Sequence, residues 1–158
     1  MAIHTYTVAI NPAFLQEIKD DDRALRRLLT HALGALEPTR MERVALRSVV
    51  DLLARLRDQL AMHFTLEEAF GYFDDPMEAA PRLLERAEVL RSEHAPLFLD
   101  VCQLVERAEQ LMDGRPTAYH LKRLAADFRS FYARFQKHEE SENALILEAF
   151  DDDIGVGD

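Results

Sequence analysis

Residues 121–149, LKRLAADFRSFYARFQKHEESENALILEA, carry an apolar side chain at alternating steps of three and four: Leu121, Leu124, Phe128, Phe131, Phe135, then Leu145 and Ala149. That rhythm keeps one face of an α-helix turned toward a core. It breaks at two positions, His138 and Glu142, which sit one turn apart on the same face. Three further stretches show the same stepping. A helix predicted over about 12–36 presents Ile18, Asp22, Leu25, Leu29, Ala32 and Leu36. One over about 39–70 presents Val49, Leu53, Leu56, Leu60, His63, Glu67 and Phe70. One over about 81–112 presents Leu83, Ala87, Leu90, His94, Leu97, Val101, Leu104, Ala108 and Leu111. With the helix over about 117–150, these predict an all-α, up-down-up-down antiparallel four-helix bundle forming a single domain over 1–158. Asn11-Pro12 reads as a helix start, while Pro38 and Asp113-Gly114-Arg115-Pro116 read as stops. Residues 3–10 (IHTYTVAI) alternate in polarity and read as an N-terminal extended arm. Residues 71–81 (GYFDDPMEAAP) read as the one substantial loop, and 151–158 (DDDIGVGD) as a frayed acidic end.

Composition agrees with that architecture. The 158 residues suit one domain, with 48% hydrophobic residues to fill a core and 30% charged residues to cover it. Gly and Pro number only 5 and 6, few for a fold of many short strands. A formal net charge of −10 argues against nucleic acid or an anionic membrane surface as the main partner. The single Cys102 excludes an internal disulfide framework and suits a reducing compartment. No apolar run approaches the ~18 residues of a membrane span. The opening MAIHTYTVAI lacks the basic-then-apolar order of a signal peptide, so a cytoplasmic protein is expected.

Six seam positions are polar: Asp22, His63, Glu67, His94, His138 and Glu142. Acidic side chains are almost never fully buried without a partner. A lone case is ordinarily explained by a His–carboxylate hydrogen bond. Here all four helices contribute, and at 1.5 Å rise per residue the six fall within roughly two turns of one end of the bundle. An unsatisfied buried polar group costs about 1–3 kcal/mol. Six would consume most of a typical stability of roughly 5–15 kcal/mol. Carboxylates and imidazoles converging in an apolar interior make a donor set for borderline or hard divalent metals. The repeated His-x-x-x-Glu at 63/67 and 138/142 lets an imidazole hold one ion while the carboxylate reaches a second.

MHFTLEE (62–68), SEH (92–94) and KHEESENALI (137–146) resemble the hemerythrin-like, HHE cation-binding domain. The resemblance spans the chain from NPAFLQEIKD to the last helix. It implies a non-heme di-iron centre bridged by two carboxylates, here Glu67 and Glu142, with His63, His94 and His138 as terminal ligands. Ferritin-like sites instead space Glu-x-x-His at i, i+3. Two departures stand out. Family members usually carry a His in the first helix, where this chain has Asp22; His31 is the other candidate, roughly 13 Å further along by helical rise. In the third helix the fullest motif has two His four apart, and here Leu90 precedes His94. The missing imidazole favours reaction with O₂, peroxide or NO over reversible oxygen carriage. The expected partners are metal ions, iron first with manganese or zinc also suited, and small diatomic or peroxide ligands. The expected role is a sensor, or oxidative or nitrosative protection. The alternatives are iron storage or trafficking, and a bundle with a vestigial site serving as an interaction module.

The other notable residues have plainer readings. His120 stands near a helix start as a capping or solvated residue, and His4 has no assigned role. Pro96 either kinks the third helix for packing or aims His94. Phe64, Phe70, Phe98, Phe131 and Phe135 gather near the proposed level as core, which also limits access. Glu68, Glu93, Glu139 and Glu140 read as solvated or as outer acceptors for the imidazoles. Cys102 reads as a small buried hydrophobe.

Overall fold

The computed structural model describes residues 12–37, 40, 45–69 and 81–155. Its elements are α1 (Pro12–Ala35), α2 (Leu46–Ala69), a 3₁₀ turn (Pro81–Leu83), α3 (Leu84–Ser92), α4 (His94–Asp113) and α5 (Ala118–Gly155). No strand occurs among the described residues. The chain is an all-α bundle of four long helical segments, the third divided into α3 and α4. Within it α2 packs on α1 and α4, α4 packs on α5, and α3 lies against α5. None of the described helices is long and apolar enough to cross a membrane. The expected arm over 3–10 and the expected loop over 71–80 lie outside the described residues.

The seams close into one main core. Ala32, Leu53, Leu56, Leu60, Val101, Phe128 and Phe131 are completely enclosed, and Leu25, Leu104 and Leu124 nearly so. Burying such a side chain stabilises the fold by roughly 1.5–3 kcal/mol, which is what holds these helices together. A second, smaller cluster forms where α3 meets α5: Leu83, Ala87, Leu90, Leu145 and Ala149. Leu90 therefore serves packing. Between the two clusters lies a polar layer, as the order Phe135, His138, Glu142, Leu145 along α5 requires.

Three boundaries differ from the pattern reading. α2 begins at Leu46, seven residues later than expected. Arg40 N–H closes a turn on Glu37 C=O, and Ala45 C=O accepts from Ser48 and Val49 N–H. The expected continuous third helix breaks at Glu93. Pro96 explains this, because its ring would clash with the carbonyl four residues back, that of Ser92. Restarting at His94 places Pro96 in the first turn of α4, where a missing N–H costs nothing. Glu93 N–H bonds instead to Leu90 C=O (3.0 Å), and Leu97 N–H to Glu93 C=O (3.1 Å). α5 continues helical through 151–155, which were expected to fray; the second cluster holds the helix as far as Ala149. At its start, Thr117 Oγ1 lies 2.9 Å from His120 Nδ1, and Thr117 N–H donates to the same nitrogen (3.2 Å). Thr117 Oγ1 accepts in turn from His120 N–H (3.4 Å), so Thr117 is the N-cap of α5 and His120 its reciprocal partner.

Candidate metal centre

The break at Glu93 and the interior faces of α2, α4 and α5 bring three imidazoles together. His63, His94 and His138 are buried, as are Glu67, Glu142 and Asp21. The His94 and His138 rings lie 5.0 Å apart between centroids. Phe64 stacks on His94 at 4.1 Å, and Phe135 meets His63 edge-on at 6.2 Å. These two phenylalanines also belong to the main core, so they floor the polar layer with apolar surface.

Each imidazole is held in the same manner. The Nδ1 atoms donate outward: His63 to Asp21 Oδ2 (2.8 Å), His94 to Glu68 Oε1 (2.9 Å) and His138 to Glu93 Oε2 (2.7 Å). The Nε2 atoms all turn inward. That of His63 lies 2.8 Å from Glu67 Oε1 and 2.9 Å from Glu139 Oε1. That of His94 lies 3.2 Å from both Glu67 Oε2 and Glu142 Oε1. That of His138 lies 2.8 Å from Glu142 Oε1. Glu67 thus faces His63 with one oxygen and His94 with the other.

His63 Nε2 bonds to Glu139 and His94 Nε2 to Glu142, but two other inward atoms are close to neighbours without being well bonded. Glu67 Oε2 and His138 Nε2 are buried and make no aligned hydrogen bond, despite neighbours at ion-pair distance. A buried donor or acceptor left so calls for a further partner. Six carboxylates also surround three imidazoles, so even three protonated rings leave an excess of three negative charges. The donor atoms fall into two groups, each within 4.8 Å: Glu67, His94, His138 and Glu142, and His63, Glu67 and Glu139. Carboxylate oxygens and imidazole nitrogens in such groups fit divalent first-row metals, with Glu67 common to both.

The electrostatics follow from this crowding. Burial pushes the His63 imidazole down, but its hydrogen bonds to Asp21, Glu139 and Glu67 outweigh burial and raise it to about 12. For His94 burial is likewise outweighed, by Glu142, Glu67 and Glu68, and its value rises to about 10. His138 is raised too: burial opposes this, and Glu142 and Glu93 prevail. Burial pushes Glu67 up, yet the His63 and His94 imidazoles beside it hold it down at about 2.

Five expected site residues meet here: His63, Glu67, His94, His138 and Glu142. The sixth does not. Asp22 is partly exposed and pairs with Arg26 at 3.1 Å, one turn along α1. The inner place on α1 belongs to Asp21, whose Oδ1 also accepts from Gln59 Nε2 at 2.6 Å. The seam placement of Asp22 is therefore corrected by one residue. Positions 21 and 22 differ by about 100° around a helix, and Asp21 is the one facing α2. His31 is exposed, on an outer groove between α1 and α2 that Arg27 and Arg55 also line. Glu68 and Glu93 act as outer acceptors, as read, while Glu139 reaches the interior, which periodicity along the seam did not show.

A cleft of about 180 Å³ reaches the centre between α1, α2 and α5, lined by His63, Glu67, Glu139, Glu142 and Asp21, with Lys19, Asp22 and Arg26 alongside. It is smaller than the roughly 300–1,000 Å³ of typical sites for larger organic ligands.

Comparison with curated proteins and with solved structures returned no match. The profile of the hemerythrin HHE cation binding domain matches residues 13–152, nearly the whole chain and every residue of the centre described above. The all-helical bundle and its buried His/Glu cluster are what that match entails, and the chain belongs to the hemerythrin HHE cation-binding domain family.

Proposed function

We propose that the chain binds two iron ions, with His63, Glu67, His94, His138 and Glu142 as ligands and Glu67 shared between the ions. The observation that carries this reading is the common orientation of the imidazoles, each tethered at Nδ1 by a carboxylate and presenting Nε2 to the interior. An outer carboxylate on the far nitrogen is the usual support of a metal-ligating histidine. A bound iron pair supplies redox chemistry and coordination positions for O₂, peroxide or NO. The residues confine that chemistry: Phe64 and Phe135 exclude water from below, and the narrow cleft admits only small ligands. The role is sensing such molecules, or protection against oxidative or nitrosative stress.

Metal analysis and a visible spectrum test this directly. Protein purified aerobically after iron-rich growth is expected to hold two irons per chain and to show a coloured charge-transfer band that azide shifts. A colourless product holding less than one iron per chain would overturn the proposal. Binding is also expected to release protons. The raised values keep His63 and His94 protonated at neutral pH in the metal-free protein, and a cation must displace those protons. Apparent affinity therefore rises with pH, by about tenfold per unit for each proton displaced. Calorimetric titration in two buffers of different ionisation heat reads that number; zero release contradicts it.

A further inference from the structure

We infer that Glu139 supplies the donor expected from the first helix, completing the position built on His63, and that α1 supplies no ligand at all. The inference deepens the two-ion reading and rests on it.

The two edges of the His63 ring make the argument. Its Nε2 faces Glu67 Oε1 and Glu139 Oε1 at 2.8 and 2.9 Å, so those carboxylates share the inward side. Asp21 meets the opposite nitrogen, and both its oxygens are engaged, Oδ2 by His63 Nδ1 and Oδ1 by Gln59. A carboxylate bound at Nδ1 cannot also reach the ion that Nε2 holds; it fixes the ring instead. The remaining α1 candidates are placed elsewhere, Asp22 against Arg26 and His31 on the outer groove. Glu139 alone among these has an oxygen grouped within 4.8 Å of His63 and Glu67 donor atoms. Its side chain is 27% exposed on the cleft wall, so it can approach the inner group without the cost of full burial. The two positions are then unequal: two imidazoles with two carboxylates at one, and one imidazole with two carboxylates at the other.

Anaerobic titration with ferrous iron against a competing chelator, with metal counted after desalting, tests the assignment. Wild-type protein is expected to take two ions and Glu139→Gln one, with the first ion's affinity unchanged. Glu139→His, which restores a donor, is expected to return the count to two. Asp22→Asn and Glu140→Gln are expected to keep both ions. Asp21→Asn is expected to keep two, with the second weakened about 10–100-fold and the first unaffected. General loosening of the fold would not produce that split. Circular dichroism verifies that each variant is folded, and if Glu139→Gln is not, a Glu139→His protein holding one ion overturns the inference. Two tight ions in Glu139→Gln, or one in Asp22→Asn, would sink this inference and leave the two-ion reading intact. A wild-type chain that takes up no iron sinks that reading itself.

Discussion

Glu67→Gln is expected to weaken iron binding at both positions at once, by more than about 100-fold each. Glu67 belongs to both donor groups and faces an imidazole with each oxygen. Loss of a merely outer partner typically costs about 10–100-fold in metal affinity, and a shared ligand should cost each ion at least as much. The substitution also removes one negative charge from between two cations, where low dielectric magnifies it. Glutamine has nearly the same shape, and His63 keeps its bonds to Asp21 and Glu139, so the bundle should persist. Chelator competition on folded protein gives the measurement. A variant that still holds two tight ions would show that Glu67 is not shared.

Stripping the metal is expected to lower the melting temperature by about 8–16 °C for each site saturated at a thousand times its dissociation constant. Linkage sets the free energy at about 4.1 kcal/mol per site, provided the unfolded chain binds little. A chain of this length shifts by roughly 2–4 °C per kcal/mol. The proviso holds because the proposed ligands come from α2, α4 and α5, and the three helices bring them together only in the folded bundle. Thermal scans with and without a strong chelator decide it. Identical melting curves would mean that the centre contributes nothing to the fold when loaded.

The helices and most of the centre were legible because both follow one periodicity. His63, Glu67, His94, His138 and Glu142 broke an otherwise apolar line, and a break in a line is visible without coordinates. The limits were equally physical. Between two seam positions seven residues apart, helical geometry permits an inner residue at the third or the fourth step. Between Ile18 and Leu25 those are Asp21 and Asp22, both acidic, and only the approach of Gln59 and His63 on α2 chooses Asp21. Between Phe135 and Glu142 they are His138 and Glu139, and here both face the centre. A search for acidic residues at either step, not along one line, would have flagged both. Pro96 signalled a disturbance in the third helix, but its clash falls on a carbonyl four residues back. The break therefore lies at Glu93, and that is what frees Glu93 to hold His138.

His63 and Glu139, which meet at 2.9 Å, stand 76 positions apart in the chain. A nascent polypeptide that has not yet emitted α5 holds His63, Glu67 and His94 but lacks His138, Glu139 and Glu142. Neither donor group is complete before α5 docks, so the order of synthesis leaves the centre to be closed by the last of the described helices.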